Sequence, residues 1–383
     1  MATISPTMTA VSDRKGNRPD TILITVMMLL SGFGLVMIYS ATRFNLERAE
    51  QIPTGTMERQ MIFVTAGMIV LAIFSWIDYR EYKSFLPLIY GVIIVLLVAV
   101  FLFEEVNGAQ RWIPIPLFNL QPAEFAKPIT IITLAYVLGQ GSEQETLRWK
   151  RLLQAVAIAA LPAALIVLEP DLGTTLTIPF VLLIMLFASG ASWKQLSSLV
   201  FTGILAVVAA FRFDLLADHQ QNRISVFLDP SIDPQGLGFQ LRQSKLAIGS
   251  GQLTGKGLFQ GTQTNLAYVP EAETDFIFTA VGEQLGFIGG VIVIAAFLVL
   301  IWRLLVIAAH SRDRFGSLIA VGIAAMMVFH VFVNVGMTVG IAPVTGLPLP
   351  FLSLGGSFYL AMAVSVGIAN SIWLRRSPVP GER

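Results

Sequence analysis

The sequence predicts an all-α polytopic membrane protein with about ten transmembrane helices and a large extracytoplasmic loop between the seventh and eighth. Three observations carry that expectation. Of 383 residues, 55% are hydrophobic and 13% charged, about half the charged fraction of a water-soluble globular chain. Apolar runs of the ~20 residues that cross a bilayer recur along the whole length. Basic residues collect on alternate connections, as the positive-inside rule requires of short loops. Composition alone excludes a soluble enzyme, and a net charge of +1 argues against a nucleic-acid partner. The absence of cysteine removes disulfides, thiolate metal sites and a cysteine nucleophile together.

Taken in order, the spans are expected at about 21–41, 61–77, 85–103, 121–139, 153–169, 174–190, 196–212, 275–309, 317–342 and 356–374. The eighth is long enough to begin outside the hydrocarbon, through a bent half-helix. Residues 1–20 are polar, with Arg14, Lys15 and Arg18, and read as a cytoplasmic tail. The apolar run that follows is too long for a signal-peptide core. Inner connections hold Arg80, Lys83, Arg148, Lys150, Arg151, Lys194, Arg303, Arg312, Arg314, Arg375 and Arg376, against Arg43, Arg48, Arg59 and Arg111 outside. Trp76, Trp149, Trp193, Trp302 and Trp373 fall at the same inner ends, where interfacial anchors belong. Both tails, 1–20 and 375–383, are then cytoplasmic, and the chain forms a single membrane domain. Residues 213–274 make an outer connection of about sixty residues, far above the usual loop length. Its apolar residues Phe227, Leu228, Phe239, Leu241 and Phe259 suggest that it packs onto the helices. The absence of an internal repeat weighs against a secondary transporter.

Four polar clusters fall on the outer side. The first runs from Gly108-Ala109-Gln110-Arg111 to Gln121-Pro122-Ala123-Glu124-Phe125-Ala126-Lys127. Glu124 and Lys127 are i,i+3 neighbours on one helix face; they either neutralise each other or serve a site, the usual reading of ionisable residues in a membrane helix. The second is the turn Glu169-Pro170-Asp171-Leu172-Gly173-Thr174, where Asp171 either caps the next helix or contacts ligand. The third is the long loop, with Arg223, Arg242, Lys245 and Lys256 among many glycines; each is either an ordinary solvated charge or a cation of the kind a pyrophosphate leaving group needs. It ends in Pro270-Glu271-Ala272-Glu273-Thr274-Asp275-Phe276-Ile277-Phe278. Thr274 can cap the helix that follows. Asp275 is either a helix-dipole charge or a general base or cation ligand facing a lipid-borne substrate. The fourth includes Asn334 and then Pro343 to Ser357, a proline- and glycine-rich loop of structural duty, with Ser353 and Ser357 as lesser ligand contacts. His330 and His219 make no credible metal spacing.

Together these clusters resemble the SEDS family (shape, elongation, division and sporulation) over essentially the whole chain. The most specific stretches are Pro270-Glu271 with Thr274-Asp275-Phe276-Ile277-Phe278, and Pro348-Leu349-Pro350 to Gly355-Gly356-Ser357. Ala247-Ile248-Gly249-Ser250-Gly251 and Gly261-Thr262-Gln263 are more similar to its elongation branch than to its division branch. The resemblance implies a peptidoglycan glycosyltransferase that polymerises lipid II at the outer face of the cytoplasmic membrane. Asp275 matches the family's essential aspartate, Glu124 and Lys127 its charged pair, and Arg111 its arginine after the third span. Glu169, Gln252, Glu273, Gln284 and Leu354 depart from the usual pattern. The implied mechanism makes Asp275 the base. Arg111, Arg223, Lys127 and Lys245 would offset charge on the leaving pyrophosphate, and a divalent cation is compatible with that task. Asp171, Lys256 and Ser357 complete the expected substrate contacts. The implied partners are membrane lipids, a class B penicillin-binding protein with transpeptidase activity and other proteins of the elongation complex. A lipid II flippase and a non-catalytic scaffold for such a transpeptidase are the alternatives.

Overall fold

In the computed structural model, the described residues are 18–104, 110–116, 118–140, 147–213 and 218–376. Arg14, Lys15, Gly108, Ala109 and residues 377–383 lie outside them, as does the side chain of His219. Ten apolar helices follow the ten expected spans in order: α1 (Thr21–Arg48), α2 (Gly55–Trp76), α3 (Tyr82–Ala99), α4 (Pro122–Leu138), α5 (Trp149–Leu168), α6 (Leu172–Ala188), α7 (Trp193–Arg212), then, after the outer connection, α11 (Ile277–His310), α12 (Arg314–Val339) and α13 (Gly356–Leu374). Eight meet the length and hydropathy of a membrane span; α4 and α6, at 17 residues each, are shorter. A rise of 1.5 Å per residue gives those two about 26 Å, less than the ~30 Å hydrocarbon core. Both open at the end of the bundle where the polar clusters gather.

The outer connection carries α8 (Asp218–Leu228), α9 (Leu237–Ser250) and the single turn α10 (Thr262–Asn265). It packs onto the helices through a small apolar cluster of Ala41, Ala247, Val269, Ala272, Phe276, Met337 and Val344. Leu241 is fully buried and Phe259 sets its ring edge-on to Tyr39, but Leu228, an expected anchor, is 78% exposed. One element has no counterpart in the expected all-helical chain: a hairpin of β1 (Ile113–Ile115) and β2 (Phe118–Leu120), pairing Ile113 with Leu120. Pro114 and Pro116 disfavour helix there and tolerate an edge strand. Trp76 and Trp193 are more than three-quarters exposed, and Trp149 and Trp302 about half, at the ends expected to meet the interface.

At the end opposite the polar clusters, Asp20 ties α1, α11 and α13 together. Its carboxylate caps α1 through Leu23 N (3.0 Å) and accepts Nε and Nη2 of Arg303 in α11 at 3.0 and 2.5 Å. Its amide donates to Asn370 of α13 at 2.9 Å.

The long helix α11 is broken at Gly286, whose φ of 66° and ψ of −162° belong to a region open only to glycine. The freed carbonyls of Glu283 and Gln284 accept the amides of Lys256 and Gly257 at 3.1 and 3.0 Å. The freed amides of Phe287 and Ile288 donate to Gln252 and Leu253 at 2.8 and 3.1 Å. Residues 252–257 therefore complete the helix's own bonding from outside, and the bent half-helix expected from sequence is a laced joint. A Cβ at Gly286 would also sit 2.7 Å from Leu253 C and O. Gly286→Ala is expected to destabilise the protein by about 1–3 kcal/mol, read as a lower thermal midpoint in detergent. An unchanged midpoint would show that the joint carries no strain.

Candidate functional site

The polar clusters converge because three short connections meet over α4 and α6. Pro122 at the first turn of α4 fixes where that helix starts, so Arg111 before the hairpin and Gln121 after it face the α5–α6 turn. Arg111 Nε donates to the carbonyl of Glu169 at 2.8 Å, and its Nη2 to that of Pro170. Of the two roles left open by its sequence, Asp171 shows the cap. Oδ1 caps α6 by accepting Thr174 N at 3.1 Å, and Oδ2 accepts Gln121 Nε2 at 3.2 Å. Ser357 receives Gln121 N at 3.1 Å and donates to Asn119 O at 2.9 Å, so its hydroxyl fixes the hairpin rather than facing open space.

From above, α8 brings Arg223 to the proline-rich loop, where Nη1 donates to Val344 O (3.3 Å) and Thr345 O (2.5 Å). Asp275 meets it across Gly346. A Cβ at Gly346 would lie 3.1 Å from Asp275 Oδ2 and 3.7 Å from Arg223 Nη1, and its φ of +77° suits glycine. Asn334 clamps the segment by donating to Asp275 O at 2.8 Å and Leu347 O at 2.7 Å. Ser353 donates to Thr274 O at 2.5 Å, and Leu354 N to Glu273 O at 2.8 Å. Thr274 does not cap α11, whose N-cap is Phe276 without a side-chain bond; its hydroxyl bonds Glu271 Oε2 at 2.9 Å instead.

The result is a mixed-charge group of Arg111, Asp171, Arg223 and Asp275 whose fields overlap. Burial pushes the Asp275 carboxyl up to about 7. The negative charges of Glu271 and Asp171 add to that push, while Arg223 and Arg111 oppose it. Burial, followed by the like charge of Arg111, lowers Arg223 from its ordinary value. A half-buried acid poised near neutrality beside two guanidinium groups can take a proton at one point and steady an anion at another.

Beneath lies a second charged group. Lys127 pairs with Glu124 at 2.7 Å, and both are almost completely buried. Lys127 Nζ also lies 3.1 Å from His330 Nε2, and His330 Nδ1 lies 3.2 Å from Pro348 O. Donation from Lys127 to Nε2 leaves the ring neutral, with its proton on Nδ1 for the Pro348 carbonyl. This chain links α4, α12 and the proline-rich loop. A small cavity beside Lys127 is lined by Thr130, Thr177, Ile178 and Val181.

Two expected contacts sit elsewhere. Lys256 bonds Glu283 Oε1 at 2.8 Å and Thr262 Oγ1 at 2.7 Å, at the laced joint. Lys245 is exposed on α9 and lies along Gly340, at the end of α12. Conversely, His330 and Glu169 are fully buried polar residues with larger parts than their sequence reading gave them, and Glu283 is a third buried polar residue, at the laced joint. The available signal was a polar group inside an apolar span, which membrane burial makes costly. Among the described residues, no three His, Asp or Glu side chains group closely enough to hold a metal ion.

This fold recurs in known proteins. The chain matches the Cell cycle protein family FtsW/RodA/SpoVE over residues 20–377 and belongs to it. It is 35% identical over 358 residues to peptidoglycan glycosyltransferase MrdB of Escherichia coli strain K12, covering 93% of this chain and 94% of that one. It is 36% identical over 362 residues to stage V sporulation protein E of Bacillus subtilis strain 168, covering 94% and 98%. Among solved structures it is similar, with a TM-score of 0.77 and 26% identity, to a chain of a peptidoglycan synthase complex described as coordinating polymerization and crosslinking; the match covers 93% of this chain and 97% of that one. The rod shape determining protein RodA of Thermus thermophilus matches with a TM-score of 0.68 and 25% identity, over 94% and 98% of the two chains.

Proposed function

We propose that this multi-pass membrane protein is a peptidoglycan glycosyltransferase that polymerises lipid II during cell elongation, with Asp275 as its base. The observation that carries the reading is Asp275 and Arg223 meeting across Gly346, with Arg111 and Asp171 in the same field. The acceptor's sugar hydroxyl attacks the donor's anomeric carbon, and a new C–O bond forms with inversion. The bond to the undecaprenyl pyrophosphate breaks, and the hydroxyl proton passes to the Asp275 carboxylate. Arg111 and Arg223 steady the departing pyrophosphate. A divalent cation carried by the pyrophosphate would add to the same task.

A site at the opening ends of α4 and α6 suits a reactive carbon just above the bilayer, with both lipid tails left between helices. Orientation follows from the basic residues and tryptophans: site outside, both termini cytoplasmic, in a bacterial inner membrane. The chain would work with a class B penicillin-binding protein that crosslinks the strands, and with other elongation proteins.

The deciding experiment incubates the purified protein with labelled lipid II, alone and with such a partner. Glycan strands resolved by gel are the expected result. Transfer of lipid II across vesicle membranes with no strands formed would replace the polymerase reading with a flippase.

A further inference from the structure

Glu169 is buried completely, at the C-terminal cap of α5, and neither of its carboxyl oxygens has a hydrogen-bond partner. A carboxylate stranded that way is costly, whereas the neutral acid is tolerated far better. The guanidinium nearest it behaves accordingly. Arg111 reaches residues 169 and 170 but bonds their main-chain carbonyls rather than the carboxyl group. An ionised Glu169 would be expected to capture that guanidinium in a charge-assisted pair.

We infer that Glu169 is a positioning residue held as a neutral acid, and that its ionisation withdraws Arg111 from the anionic part of a bound substrate. The inference rests on the polymerase reading, because it supposes that Arg111 faces a pyrophosphate. Neutral, Glu169 leaves Arg111 anchored through two of its five N–H groups and with its charge uncompensated by a direct partner. Ionised, it places a competing anion on the same residue as one of the carbonyls that hold Arg111 and one residue from the other.

The charged groups around it define the effect. Asp171 stands two residues away at the start of α6, and Arg111 comes from the segment before β1. Arg223 of α8 acts on both, and Asp275 shares their field. Burial, and then the charge of Asp171, push the Glu169 carboxyl up to about 8 against the pull of Arg111. Glu169 is thus neutral below that pH and charged above it. Asp275 must be ionised to act and Glu169 protonated, so polymerisation should rise through about pH 7 and fall above about pH 8.

Two variants test this: Glu169→Gln, which keeps the shape, and Glu169→Met, which removes the polar head in case a buried amide folds poorly. Both should keep the rising limb and lose the falling one, which in the wild type drops about tenfold per pH unit. Infrared difference spectra of wild type against Glu169→Gln, without substrate, should show a protonated-carboxyl band at pH 7 that fades through about pH 8. A falling limb that persists in both variants, or no such band at pH 7, overturns the inference. If no preparation makes strands at any pH, the polymerase reading fails and with it the role given to Arg111. The infrared titration alone still decides whether Glu169 is held neutral.

Discussion

Asp275→Asn is expected to lower the rate of strand formation by about 10²–10⁴-fold, while the variant protein withstands heat better than wild type at pH 8. The two effects share a cause. Enclosure of the carboxyl beside Glu271 and Asp171 raises it from 3.8 to about 7. Between those values the folded protein holds a proton that the unfolded chain has released, so stability falls as pH rises through that window. At pH 8 the wild type bears the cost of a carboxylate partly withdrawn from water, and asparagine does not. The same shift sets the acid side of the activity profile. The base works only when ionised, so the wild-type rate should drop about tenfold for each pH unit below about 7. An ordinary aspartate would hold its rate down to about pH 4. Normal strands from a well-folded Asp275→Asn protein would sink the base assignment, and a flat profile between pH 5 and 7 would sink the raised carboxyl.

The second large effect concerns stability rather than rate. Lys127→Met removes the partner of a carboxylate that is 4% exposed. It should destabilise the protein by about 3–5 kcal/mol, the usual consequence of stranding a buried charge. Glu124→Leu strands Lys127 in turn, with the neutral ring of His330 and the face of Phe358 for company. The double variant strands neither, so its loss should be much smaller than the two single losses together. It retains a cost of about 1 kcal/mol for the lost lysine–histidine bond. Unfolding of the three proteins in the same detergent measures the coupling. Simple additivity would mean that the pair contributes nothing through its charge, and that both residues act separately.

The helices were legible because lipid imposes a length and a polarity on each of them, and the span Gly356–Leu374 coincides with its expected bounds. Helix ends facing the polar loops were harder to place. Apolar residues stop before the helix does at Arg48, and the helix begins before the apolar run at Gly55. The hairpin escaped notice because three-residue strands leave no periodicity to read. Within the site, Asp171 and Asp275 stand out in sequence as acids beside helix starts, and Arg111 as a cation in a sparsely charged outer loop. Lys245 and Lys256 looked equivalent to Arg223, since nothing local reveals which side of a long loop a cation will face. Lys256 is drawn away by Glu283, whose carboxylate also receives Gln263 N and Thr264 N at 2.8 and 2.9 Å. That destination depends on a chain separation of 27 residues. Distance along the chain hid it, and no composition or spacing rule would have recovered it.

The lacing at Gly286 bears on how the protein is made. A span entering lipid needs its backbone bonded within itself, yet four groups of α11 find partners only in residues 252–257. Those residues precede α11 in the chain and leave the ribosome first, but they must cross to the far side before they can return to the helix. Insertion of this span and arrival of the loop are therefore one event, not two. A chain whose loop is delayed would present an unfinished helix to the bilayer, and quality control would meet it at that step.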